Sequence, residues 1–280
     1  MNNIKIIDNL QIISNDNILL CKKKASFDII SKYNYLKSKD FHNYINSKII
    51  DGYEIREYIN EINITKEDKL KELIYVITML HTKTTHFKNY YLNDIKDFYE
   101  KTTDEIINIK IYYNDLVEKN DAFLFHKPSI NYLIKKISTI LISLDNSKYF
   151  LDKWYSIVKI KQRKRVVLNH NNLKLSNFIV GIKPYLINFD NSVIDYPVYD
   201  LVSLFKNNYK EIDMTDLYNE YLSKYNLFKE EQLLLLSLLL KIDIVSFNEN
   251  EIINTRNITR IIDYLDKLSF FLENCMKTDK

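Results

Sequence analysis

Only two glycines, Gly52 and Gly181, occur in 280 residues, and this scarcity excludes more folds than any other feature of the chain. A phosphate cradle made of backbone amides needs several positions without a Cβ. A P-loop, a dinucleotide-binding fingerprint and a glycine-rich loop over a nucleotide therefore cannot be written here. Prolines number 3 and tyrosines 22, with Asn, Ile and Lys abundant, as an AT-rich genome would impose.

The remaining composition sets broad limits. A hydrophobic content of 46% is ample for a buried core. Forty Lys and Arg against 37 Asp and Glu give a net charge of only +3, so charge makes no case for nucleic acid or a membrane as partner. Cys21 and Cys275 are too far apart in sequence for a disulfide framework or a metal knuckle. The opening MNNIKIIDNLQ is polar, and no run of about 18 apolar residues follows. A reducing, cytoplasmic setting is the expectation.

Along the chain, NIKIID, LQIIS and NILLCKKK predict two or three short strands, with Ser14-Asn15-Asp16-Asn17 as a turn. Ala25 to Lys39 predicts a helix, with Phe27, Ile30, Tyr33 and Leu36 at helical spacing. Tyr44 to Ile50 and Tyr53 to Ile59 flank Asp51-Gly52, a hairpin signal. Thr65 with Asp68 resembles a capping box, followed by Leu70, Leu73, Ile74, Ile77, Leu80 and His81 on one helical face. Helices are further predicted over Leu92 to Val117, Ile130 to Leu144, Tyr149 to Ile160, Val198 to Asn207, Met214 to Tyr225, Lys229 to Phe247 and Glu251 to Met276. Leu233 to Leu240 is apolar on all sides except Ser237, the pattern of a buried helix too short to span a membrane. A boundary near Asn60 divides a β-rich part, 1–60, from a helical part, 61–280.

Within the helical part, Asn169 to Leu201 breaks the texture: NHNNLKLSNFIVGIKPYLINFDNSVIDYPVYDL. It reads as strand (Arg165 to Leu168), loop, strand (Phe178 to Gly181), turn, strand (Tyr185 to Ile187), an order that brings Asn172 and Asn188 close in space. Its polar residues include His170, Asn172, Asn177, Asn188, Asp190 and Asp200.

HNNLKLSNFIV, YLINFD and PVYDL stand in the order and spacing of His-Gly-Asp-Leu-x-x-x-Asn, Ile-Asp-Phe-Asp and Tyr-Asp-Leu. The chain thereby resembles the aminoglycoside phosphotransferase and choline kinase superfamily, including its spore-coat-associated kinase-like branch. Met79-Leu80-His81-Thr82 is similar to a Leu-His pair that ends a helix early in that family's helical lobe. Leu19-Leu20-Cys21-Lys22 is similar to the strand that supplies the ATP lysine, making Lys22 the nucleotide-binding candidate, with Lys23 and Lys24 adjoining it. The resemblance implies an α+β, bilobal protein-kinase-like fold, with a small N-terminal β-rich lobe and a larger helical lobe carrying the 169–201 stretch. It also implies ATP and Mg²⁺ as cofactors, and a small-molecule or protein ligand in the cleft between the lobes.

By the same resemblance, His170 shapes the loop and Asp200 bonds its backbone. Asn172 stands where an Asp orients or deprotonates the substrate hydroxyl, and Asn177, Asn188 and Asp190 stand at the metal positions. Two of these expected acids are amides: Asn172 cannot accept a proton at neutral pH, and Asn188 brings a neutral oxygen where Mg²⁺ prefers an anionic one. Asp190 lies two residues beyond Asn188, on the same face of an extended strand, and could take a shifted metal. The helix glutamate that would pair with the lysine is not evident; its position falls near Ile29, with Asp28 one residue away.

Other polar residues read as structural. His81 ends an apolar helix as a hydrogen-bonded core histidine, Lys161 to Arg165 is a solvated connection, and His42, His86 and His126 lack partners at metal-ligand spacing. The expected function is a pseudokinase acting as a binding or scaffold module; the alternative is an active ATP-dependent phosphotransferase acting on a small-molecule hydroxyl.

Overall fold

The computed structural model describes residues 4–7, 10–15, 18–26, 28–121 and 126–278. Asp16, Asn17 and Phe27, used in the predictions above, lie outside them. The fold is α+β, with the sheet near the N-terminus and a mainly helical remainder. By compactness the chain forms two units. The first comprises Met1–His86, Val166–Glu211 and Ser223–Tyr225, so the N-terminal sheet and the loop at 169–201 belong to one body; the second takes Phe87–Arg165, Ile212–Leu222 and Asn226–Lys280.

In the first unit, β1 (Ile4–Ile7), β2 (Leu10–Asn15), β3 (Ile18–Lys24), β4 (Ser47–Ile50) and β5 (Tyr53–Glu57) form an antiparallel sheet in the order β1-β2-β3-β5-β4. The β4–β5 turn places Asp51 at φ 50° and Gly52 at φ 77°, the left-handed pair that a two-residue hairpin twisting with its strands requires. Helix α1 (Ile29–Ser38) lies between β3 and β4 in sequence. Helix α2 (Lys66–Thr84) begins at Thr65, whose hydroxyl accepts the Asp68 N–H at 3.1 Å. It buries Leu70, Leu73, Ile74, Ile77, Leu80 and His81, the face predicted from spacing.

Two strands follow, β6 (His86–Asn89) and β7 (Arg163–Asn169), separated in sequence by α3 (Leu92–Asp121) and α4 (Pro128–Val158). Then β8 (Phe178–Val180) and β9 (Pro184–Leu186) pair as a hairpin, and β10 (Val193–Asp195) returns antiparallel to β7. Helix α5 (Val198–Asn208) completes the loop's surroundings.

The second unit is built from α3, α4, α6 (Met214–Lys224), α7 (Lys229–Leu240) and α8 (Glu251–Thr278). Helix α1 starts at Ile29 and not at Ala25, and α3 runs on past Val117 to Asp121; two further differences from the sequence reading have a visible cause. The segments predicted as Ile130 to Leu144 and Tyr149 to Ile160 are one 31-residue helix, α4. The polar run Asp145 to Lys148 looks like a break, but Ser147 is fully buried, donating to the Ser237 carbonyl at 2.8 Å while Ser237 donates back to Ser147 at 2.9 Å. Helix α7 stops at Leu240, well short of Phe247. There Tyr113 and Tyr112 of α3 donate to the carbonyls of Asp243 (3.0 Å) and Val245 (2.7 Å), partners that compete with helix continuation.

Lys161 to Arg165 is committed to structure in this unit. Lys161 reaches Glu230 at 2.5 Å, and Arg165 pairs with the buried Glu231 and lies 3.9 Å over the Phe228 ring. Burial pushes the Glu231 carboxyl upward, against the opposing pull of Arg165. No helix of the described residues is long and apolar enough to cross a membrane.

Candidate functional site

The loop after β7 is held from beneath by one carboxylate. Asp200, in the first turn of α5 and fully buried, accepts the His170 N–H at 2.9 Å and the Asn171 N–H at 2.7 Å. It also meets the buried His81 Nε2 of α2 at 3.1 Å. His170 donates through Nε2 to the Ile187 carbonyl at 2.8 Å and packs edge-on against Phe189, ring centres 4.9 Å apart. Complete burial lowers the His170 pKa, outweighing the field of Asp200, so the ring is a neutral spacer at physiological pH. The Leu173 N–H donates to the Ser203 hydroxyl at 2.9 Å, and Asn207 donates to the Leu173 carbonyl at 3.2 Å.

Asn171 has φ 59° and Asn188 φ 64°, both left-handed. Asn is the non-glycine residue that enters this region most readily. Asn171 stands where the resembling family's motif has glycine, and its positive φ shows how a chain nearly free of glycine makes a tight loop here.

The remaining polar residues form a chain of hydrogen bonds with a single consistent direction. Lys23 Nζ donates to Asn188 Oδ1 at 3.1 Å, Asn188 Nδ2 donates to Asn177 Oδ1 at 2.8 Å, and Asn177 Nδ2 donates to the Asn172 carbonyl at 2.9 Å. The two ends fix the two amides. A backbone carbonyl only accepts and an ammonium only donates, so Asn177 must turn its NH₂ to Asn172 and its oxygen to Asn188, which in turn must offer its oxygen to Lys23.

The order of residues on β3 explains why Lys23 is the lysine involved. Side chains alternate across a strand, and Lys23 shares a face with the buried Cys21. Lys22 faces the other way, 4.1 Å over the Tyr53 ring, and the structure does not bring it to Asn177, Asn188 or Asp190. Lys23 also contacts the Asp190 carboxylate and stands 3.7 Å from Glu54 Oε2. Burial raises the Asp190 carboxyl, but the hydrogen bond and charge of Lys23 outweigh it and hold the pKa below the usual value.

Glu54 went unremarked in the sequence. It sits on β5 directly opposite Lys23 and is 2% exposed, accepting a hydrogen bond from Tyr33 of α1 at 2.7 Å. The partner sought on α1 near Ile29 is therefore supplied by the neighbouring strand. Helix α1 instead sends a cation: Lys32 Nζ donates to the Asp190 carbonyl at 2.5 Å and pairs with Asp28 at 3.0 Å. A charged face buried on β5, with Glu54 and Arg56 inward and Ile55 less buried, inverts the pattern by which strand faces are read. The legible signal was the alternation through Cys21 on β3.

With Lys23 bonded as it is, these residues do not fit Mg²⁺. The oxygens of Asn177 and Asn188 that would ligate it each accept an N–H, and the remaining carboxylate, Asp190, is paired with Lys23. Among the described residues no group of three or more His, Cys, Asp or Glu side chains could hold a metal. Asn172, half-buried at the base position, carries an amide that cannot take a proton from a hydroxyl.

No protein-family model matches the chain, and no curated protein matches it by sequence. Solved structures do match. An aminoglycoside phosphotransferase from Alicyclobacillus acidocaldarius is similar at a TM-score of 0.71 and 9% identity, over 99% of this chain and 92% of that one. A spectinomycin phosphotransferase bound to AMP is similar at a TM-score of 0.56 and 15% identity, over 96% and 88% of the two chains. The same enzyme with ADP and spectinomycin gives 0.52 and 14%, over 97% and 88%. Strand order, the Asp200-anchored loop and these matches together give the conclusion: the chain carries the protein-kinase-like fold of the aminoglycoside phosphotransferases.

Proposed function

We propose that this chain is a pseudokinase, a kinase-fold protein that acts as a binding or scaffold module and does not transfer phosphoryl groups. One observation carries the reading: the oxygens at both amide metal positions, Asn177 Oδ1 and Asn188 Oδ1, each accept an N–H in a directed chain of hydrogen bonds running from Lys23 to the Asn172 carbonyl. Phosphoryl transfer in such folds is mostly positioning and charge stabilisation by metal ions, with an acid to orient the attacking hydroxyl; both provisions are replaced. The ligand class is a small molecule or a protein segment, and two cysteines with no framework between them suit a reducing, cytoplasmic location.

The second reading, an active ATP-dependent phosphotransferase using Mg²⁺ and a small-molecule hydroxyl, draws on Asp190, which keeps a carboxylate beside the degenerate position, and on structural neighbours bound to AMP or ADP. The two are separated by measuring ATP turnover with Mg²⁺, and the melting shift with Mg²⁺-ATP, for the natural chain and for Asn172→Asp with Asn188→Asp. The pseudokinase reading expects no turnover from the natural chain and no shift at millimolar Mg²⁺-ATP. Turnover by the natural chain that Asn177→Ala abolishes would sink it.

A further inference from the structure

We propose that Lys23 is a tethered cation filling a three-oxygen site, formed by Asn188 Oδ1, Asp190 Oδ2 and Glu54 Oε2, that would otherwise hold a divalent ion. The three oxygens come from separate elements: Glu54 from β5, Asn188 from the left-handed residue after β9, and Asp190 from the turn that follows. All converge on one nitrogen, with Asn188 at 3.1 Å, Asp190 in direct contact and Glu54 at 3.7 Å. Two of the three are carboxylates, and Glu54 is 2% exposed. Like charges gathered on one partly buried point disfavour each other, so a cation is required there, and the chain supplies its own.

The donor set is what a hard divalent ion takes: oxygens only, two of them anionic. A side-chain ammonium has the advantage of attachment, since it meets the site at high effective concentration and an ion in solution must displace it. Lys32 reinforces the arrangement, because its bond to the Asp190 carbonyl fixes the turn that presents the carboxylate. The natural chain thus spends a metal site on holding its sheet, α1 and the Phe189 turn together.

This inference rests on the non-catalytic reading of the same site. Its test contains no nucleotide and no turnover, so the two can fail separately. Mn²⁺ alone is titrated into the natural chain, Lys23→Met and Lys23→Arg, with binding read by calorimetry and by the melting midpoint. Lys23→Met is expected to bind Mn²⁺ about tenfold tighter or more than the natural chain, and to melt higher when Mn²⁺ is added, because a ligand of the folded state alone stabilises it. Lys23→Arg keeps the cation and should behave as the natural chain does. Adding Asp190→Asn to Lys23→Met should abolish the gain. Equal Mn²⁺ binding by the natural chain and Lys23→Met, or none by Lys23→Met, overturns the proposal. If Lys23→Met is unfolded without metal, the readout becomes recovery of helical ellipticity as Mn²⁺ is added, and absence of recovery likewise overturns it.

Discussion

The loop at His170 to Leu173 and the turn at Asn188 to Asp190 lie in the same unit, and both use residues at the resembling family's motif positions, yet their polar groups are bonded differently. Under the loop, both Asp200 oxygens accept a backbone N–H, and Oδ2 also meets His81. At the turn, the oxygens that would face a metal face N–H groups instead. The first set of residues builds the backbone shape, and the second stands where the resemblance places metal ligands. The loop's shape does not depend on what the turn binds, because it rests on buried hydrogen bonds that no bound ion supplies.

The comparison breaks most readily at Asp200. Asp200→Ala leaves two loop N–H groups without their acceptor and His81 without its carboxylate, all around a fully buried position. Removing one member of such a buried network costs about 3–5 kcal/mol, measurable by urea denaturation. A loss below about 1 kcal/mol, the net worth of one ordinary hydrogen bond, would mean that the loop is held by something else. Asn177→Ala should come next. It removes the last two bonds of the amide chain at a position 7% exposed, for a loss of about 2 kcal/mol in the same measurement. No loss would mean that Asn188 and Asn172 find solvent partners and the chain is ornamental.

The smallest effect is expected at Asn171, where the left-handed backbone sets the sign. Asn171→Ala should cost about 1 kcal/mol, while Asn171→Gly should stay within about 0.5 kcal/mol of the natural chain. Equal effects of the two would show that φ 59° at this residue does not govern the loop.

Much of this architecture is readable from residues alone, and the reasons differ by region. The spacing from His170 through Asn177 to Asp190 and Asp200 constrains strand, loop and turn together, so few folds can satisfy it. The Asp51-Gly52 hairpin and the Thr65 cap are local devices whose residue types carry their own geometry. Glu54 and Lys23 were hidden for the opposite reason. Their burial depends on partners on other elements, far away in sequence, and a charged inner face on β5 runs against the apolar-in pattern that makes strands legible. The continuity of α4 was hidden similarly, since Ser147 looks like a loop residue until Ser237 is placed against it.

The central claim, that Lys23 and the two amides occupy the place of the metal, is tested most directly by anomalous scattering from a crystal of the natural chain soaked in Mn²⁺ and ATP. The account predicts no manganese peak at Asn188 Oδ1 and Asp190, with Lys23 Nζ still bonded to both. A peak coordinated by Asn177, Asn188 and Asp190, with Lys23 swung away, would contradict it.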